Sequence, residues 1–337
     1  MNSRSLLLPA LLAVPFVSVR APELRFAPAE GTTLRYSLDQ DMELKLVEAS
    51  QRFVVDGEEH ASDDGDVPDI TITEHEHQAY ADIYTKAKDG RPQRIERRYE
   101  ELASTRAQSG STPDGEDIDE KEDRSSDLEG ADVVFAWDED ASEWKKSFGE
   151  ASADRDEDLL EGIEAEVFFA ELLPKDDVAV GATWEIDPRT FLEATSPGGQ
   201  IPWDDDTPDD DTNDKMLEAV EGSVTAELVG FADEGGTRLA TIRFRAELSS
   251  EFDDSPSAEE LEEVEFDITV EQTLKIELEL EGELVWDVKA GHARSSNLEG
   301  SVVLTVHGRQ EVSGEMSFEI ETHQSFEGEL KVRVAIE

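Results

Sequence analysis

The chain has 337 residues, enough for one large β domain or two smaller ones, and carries 84 Asp and Glu against 30 Lys and Arg, a formal net charge of -54. A surface this acidic repels phosphate backbones and anionic headgroups, which argues against nucleic acid and membrane surfaces as partners and leaves cations and basic molecules. The absence of cysteine removes disulfides, thiol nucleophiles, thiolate zinc sites, iron–sulfur clusters and a lipid-anchored cysteine together.

The N-terminus, "MNSRSLLLPALLAVPFVSVRAPELRF", has Arg4 as a positive n-region and a short apolar stretch from Ser5 to Val19 broken by prolines. It predicts a signal peptide over residues 1–21, too short for a membrane span, and hence an exported protein, periplasmic or extracellular. The competing reading is a buried first element. No other segment is long and apolar enough to span a membrane as a helix.

Leu34, Tyr36, Leu38, Met42, Leu44 and Leu46 then alternate with polar residues, the period-2 pattern of half-buried strands. Two long strands follow in 70–107, joined at Asp89-Gly90. Residues 108–129 hold almost no apolar side chain and predict an acidic loop. A hairpin with Trp137 and Trp144 near its turn comes next. "DRDEDLLEGIEAEVFFAELLP" spaces Leu159, Leu160, Ile163, Val167 and Ala170 at helical intervals and ends at Pro174, predicting one amphipathic helix over 155–173. These elements make an N-terminal β half, 22–176. A C-terminal β half, 177–337, is interrupted by acidic loops at 204–214 and 253–263.

The longest signal lies in "EVEFDITVEQTLKIELELEGELVWDVKAG". Even positions from Val264 to Val288 are apolar except Gln272 and Gly282; odd positions are mostly acidic. Period-2 alternation places one set on each sheet face, so the ribbon is antiparallel sheet with one wet face. A straight strand of ~25 residues would run about 80 Å, so it must bend through a bulge or kink at Gly282, or turn in a three-residue hairpin at Glu281-Gly282-Glu283. "DVKAGHA" supplies a later turn, with Gly291 at the position that tolerates positive φ. The predicted fold is mainly β: a strongly bent antiparallel sheet or half-barrel, in two β halves, covered by one amphipathic helix.

The stretch Val178…Gly181-x-x-Trp184 and the hairpin Trp286-Asp287-x-x-x-Gly291-x-x-x-Ser295 resemble uncharacterised secreted bacterial proteins that form a domain family of unknown function. The bent sheet with a covering helix is also similar in plan to the periplasmic lipoprotein-carrier clam, whose concave face holds acyl chains. That resemblance implies no role for any single residue.

Catalytic motifs are not found. Ser142-x-x-Lys145 has the spacing of a serine-acylating enzyme but lacks its companion motifs. From Asp209 the Asp-x-Asp-x-Asn start of a calcium loop is present, yet Asp214 stands where glycine is required and Val220 where glutamate closes the site. His75 and His77 share a strand face and are weak candidate metal ligands, set against solvated strand histidines. No cofactor is expected. The five tryptophans suit core or turn packing, with a ligand groove as the other use.

The expected role is therefore non-enzymatic: burial of an apolar small molecule or lipid on the concave sheet face. The candidate lining is Phe266, Ile268, Ile276, Leu278, Leu280, Leu284 and Trp286, with Ile163 and Val167 from the helix. The alternative is a structural or interaction protein of the cell envelope with a packed core and weak divalent-cation binding by its acidic loops. Acid on the polar face of nearly every strand also predicts a salt-adapted protein.

Overall fold

The computed structural model describes residues 24–56, 58–60, 67–88, 90–112, 116–165, 168–204, 212–255, 267–313 and 317–337. It is mostly strand. The first half of the chain contributes β1 (Thr33–Val55), β2 (Glu58–His60), β3 (Asp69–Lys88), β4 (Arg91–Ser111), β5 (Asp117–Arg124), β6 (Asp132–Asp138) and β7 (Glu143–Phe148). The second half contributes β8 (Thr183–Ile186), β9 (Glu221–Glu234), β10 (Thr237–Asp253), β11 (Asp267–Asp287), β12 (His292–Ser313) and β13 (Phe318–Ile336).

All thirteen strands among the described residues belong to one antiparallel sheet in the order β7-β6-β4-β3-β1-β13-β12-β11-β10-β9-β8, with β2 on β1 and β5 on β4. The first and last long strands pair in the middle of the sheet, from Tyr36 opposite Ile336 to Val55 opposite Phe318. Each half of the chain is therefore a meander running outward from that central seam. The sheet is not closed: its edges are β7 and β8, strands adjacent in sequence. The chain between them must travel from one edge to the other, and it does so across the apolar face. Leu160, Ile163, Phe169, Leu172, Phe191 and Ile201 from this stretch join one continuous core with strand residues from β6 to β9.

The bent half-barrel expected from sequence is thus present, and β11 shows how it bends. It runs unbroken for 21 residues, passing Gly282 without a turn, so the hairpin option at 281–283 is not the one used. Gly282 pairs with Leu298, Gly300 with Leu280 and Leu330, and Gly328 with Val302 and Leu44. The three glycines step two residues along the ladder per strand, a diagonal across β11, β12 and β13 on the apolar face. A Cβ at any of them would run into the carbonyl oxygen of a neighbouring strand, that of Asn297, Glu279 or Glu43. Side chains are missing along this diagonal, where neighbouring main chains approach most closely, and that lets the sheet curl toward its apolar face.

The turns follow the sequence. Asp287 Oδ1 accepts hydrogen bonds from the backbone N–H groups of Lys289 and Ala290, and Gly291 closes the turn at φ 72°. Behind it, Ala27 N donates to Gly291 O, and Phe26 packs between Tyr84 and Trp286.

Two expectations need correction. The helix over 155–173 is instead a 3-10 turn at Glu157–Leu160, an isolated bridge of Ile163 to Gly199, and the short helix α1 (Phe168–Glu171). Gly162 sits at φ 68°, outside any right-handed helix. The carbonyl of Glu164 accepts from the buried guanidinium of Arg97. The helical cover comes from several short pieces, including α2 (Pro188–Glu193) and α3 (Thr212–Ala219). The acidic loop at 108–129 is shorter than expected: β4 extends to Ser111 and β5 pairs with it from Asp117 to Arg124. Most of β5 is exposed, so no apolar alternation marks it; main-chain pairing to β4 carries it, with side-chain contacts from Asp123 to Thr105 and from Arg124 to Ser104 and Glu74.

Candidate functional site

The two ends of the long strands differ on the apolar face. At one end the space is filled. Leu284 and Trp286 on β11 are fully buried, with Leu280 and Leu278 nearly so. The bridging segment adds Ile163, also fully buried. Five of the residues expected to line a ligand groove are therefore packed against other side chains. Phe266 and Val167 lie outside the described residues, as does the side chain of Ile268.

Toward the other end the same face continues with less cover. Ile276 is half-buried and stands in a cross-strand row with Ser250, Leu304, Phe326 and Leu46. The next row holds Phe252, Leu274, Val306 and Gln324. Met42, Ile70, Ile72, Leu304 and Leu330 are only partly buried against the main core. α3 lies over one side of this region, tied by Ser250 Oγ donating to Met216 O and by Thr212 Oγ1 donating to Asp254 Oδ1. The result is a partly buried apolar surface, continuous with the core and flanked by α3.

Beyond Ile72, β3 turns polar on this face, with β4 and β5 beside it. Glu74, Glu76 and Gln78 occupy successive inward positions on β3, opposite Met42, Gln40 and Leu38 of β1. Arg124 pairs with Glu74, donates from Nε to Ser104 Oγ at 3.1 Å and lies 5.6 Å from the Trp203 ring. Gln78 Nε2 donates to Glu76. The apolar surface thus runs over β10–β13, β1 and the first residues of β3 with hydrogen-bonding groups beside it, a pairing that suits an amphipathic molecule.

Deeper in the N-terminal half sits an ion pair with no solvent contact. Arg97 Nε and Nη2 donate to the two carboxylate oxygens of Asp82 at 2.8 and 2.9 Å, and both side chains are 0% exposed. Arg97 Nη1 donates to Glu164 O and Gly198 O, and the guanidinium stacks 4.1 Å from the Tyr80 centroid. Burial works against its charge, but the Asp82 carboxylate holds its pKa well above the ordinary arginine value. It binds strands β3 and β4 to the bridging segment and is sealed from any ligand.

The remaining candidates are occupied by ordinary contacts. His75 and His77 point outward, each with Nδ1 against a β1 carboxylate, Asp41 at 2.8 Å and Asp39 at 2.9 Å. Among the described residues no group of three or more His, Asp or Glu converges as a metal site. Ser142 sits in a tight turn at φ 58°, and Lys145 pairs with Asp138, which raises the lysine pKa and keeps it protonated. A charged, exposed lysine cannot serve as the base of an acylating serine. Trp137 and Trp144 pair edge to face across the β6–β7 hairpin, Trp184 Nε1 donates to Leu172 O, and Trp286 is core. The tryptophans do not converge on one groove.

Comparison of the sequence finds no matching protein family and no matching curated relative. Among solved structures, an outer membrane protein of Vibrio cholerae (OmpTdeltaL8, the loop L8 deletion mutant of OmpT) is similar over 88% of this chain and 100% of its own, at 8% identity and a TM-score of 0.10. A score that low bears on neither fold nor function.

Proposed function

We propose that this is an exported, non-catalytic binding protein that holds an apolar or amphipathic ligand in the trough of its curled sheet. The observation that carries the reading is the half-buried apolar surface of Met42, Ile72, Ile276 and Leu304, packed against the core, with half-buried Leu274 and Val306 in the next cross-strand row. Residues on such a face gain roughly 25 cal/mol for each Å² an apolar ligand would cover. A polar stretch holding Glu74, Glu76 and Arg124, already paired among themselves and with Ser104 and Gln78, borders that surface on the side where a headgroup would lie. The outward row Glu277, Glu279, Glu281 and Glu283 on β11 is the reverse of the apolar band that a lipid-facing strand presents, which favours a protein that carries its apolar surface inside.

The test is binding of a fluorescent fatty-acid probe to the purified protein, compared with Ile276→Glu and Leu304→Glu. Both positions are partly accessible, so the fold should tolerate the charge better than at Leu284. Saturable binding by the parent protein, lost in both folded variants, supports the reading. Absence of saturable binding, or binding indifferent to both changes, favours the alternative of a structural or interaction protein.

A further inference from the structure

We infer that His307 and His323 form a chelating pair for a borderline divalent transition ion such as Zn²⁺, Ni²⁺ or Cu²⁺, on the outer face of the sheet. The two residues are direct cross-strand partners on β12 and β13. Their rings lie 4.5 Å apart between centroids and tilt by 36°. Their Nδ1 atoms face each other at 3.2 Å. Two imidazole nitrogens bound to one tetrahedral ion at ~2.0–2.1 Å each stand about 3.3 Å apart, so the nitrogens already have the required spacing, and rotation of the rings about their side-chain bonds turns both lone pairs onto one ion. Imidazole is a ligand type that late first-row divalent ions accept well, whereas calcium and magnesium prefer oxygen.

The proton positions also fit. Nε2 of His323 faces the Glu48 carboxylate at 3.7 Å. A carboxylate there favours the proton on Nε2 and leaves the Nδ1 lone pair free toward the partner ring, the arrangement usual behind metal-bound histidines. Without metal, His307 Nδ1–H donates to that lone pair. With metal, His307 carries its proton on Nε2 and both Nδ1 lone pairs bind the ion. His307 is exposed, so water has access to complete the coordination sphere. The chain's net charge of -54 raises the local concentration of divalent cations. The pair differs from His75 and His77, whose Nδ1 atoms are directed at separate aspartates.

The experiment is calorimetric titration of the full chain with Zn²⁺ in molar NaCl and excess Mg²⁺, which suppress non-specific binding to the acidic surface. One equivalent should bind. His307→Ala and His323→Ala should each abolish that isotherm, Glu48→Gln should weaken it about tenfold, and a His75→Ala/His77→Ala double variant should leave it unchanged. Circular dichroism verifies that each variant is folded. An isotherm that persists in both single alanine variants, or no stoichiometric Zn²⁺ binding by the parent chain, overturns the inference.

Discussion

Arg97 and Asp82 are the residues on which the packed end of the molecule depends. The pair is fully desolvated, and the guanidinium also holds two carbonyls of the bridging segment, at Glu164 and Gly198. Removing one member leaves an uncompensated buried charge, which costs roughly 3–5 kcal/mol, whereas replacing both by apolar residues is often close to neutral. Arg97→Met should therefore lower stability to urea by about that amount, and Arg97→Met/Asp82→Leu should recover much of it. Glu164 itself is strained electrostatically. Glu164 is exposed, but partial loss of hydration beside the packed segment, and then the nearby Glu193, raise its pKa above the ordinary glutamate value. The folded state holds this proton more tightly than the unfolded chain, so stability falls as pH rises from the ordinary glutamate pKa through the raised one. Glu164→Gln should stabilise the protein at pH 7, and the gain should vanish in acid below the ordinary glutamate pKa. A gain independent of pH would contradict this. None of this was legible in sequence: Arg97 lies among charged neighbours in "RIERRYEE", and only the register of β3 against β4 marks it as inward. Trp286 and Leu284 were placed correctly on the apolar face, but alternation assigns a face and says nothing about which part of it is filled.

At the scale of elements, alternation over β11 was enough to establish an antiparallel strand with one wet face. The glycine at 282 was recognisable as a bend, but its two companions were not, because their alignment appears only once the strands are paired. Gly328→Val should test the diagonal. The added Cβ meets the main chain of Glu43, which cannot swing aside as a side chain would, so a loss at or above the usual 1–3 kcal/mol of an overpacked site is expected, read as a lower melting temperature. A melting temperature unchanged from the parent would show that the curl does not depend on these positions. The expected helix over 155–173 failed for a different reason. Its apolar spacing is real and those side chains do enter the core, but Gly162 breaks the helix, and the path is set by Arg97 and by the bridge to Gly199. Tertiary contacts outweighed a local pattern that lacked any further turn of helix to support it.

Across the whole molecule the outer face is organised in charge rows. Arg245 faces Glu281 and Lys331 faces Glu299, but Glu247 stands directly opposite Glu279, and Glu43 opposite Glu329. Like charges in register destabilise a sheet, and salt screens them as the Debye length falls from ~10 Å at 0.1 M to ~3 Å at 1 M. The melting temperature should rise over that range, and Glu279→Lys should raise it at low salt by more than at high salt. A salt-independent melting temperature would exclude the salt-adapted reading drawn from composition.

Ligand binding in the trough is tested most directly by native mass spectrometry of the protein purified without detergent. An adduct of lipid-like mass is expected on the parent protein and should disappear in Ile276→Glu and Leu304→Glu. A protein that carries no adduct, and takes up none when incubated with fatty acids or phospholipid, would contradict it.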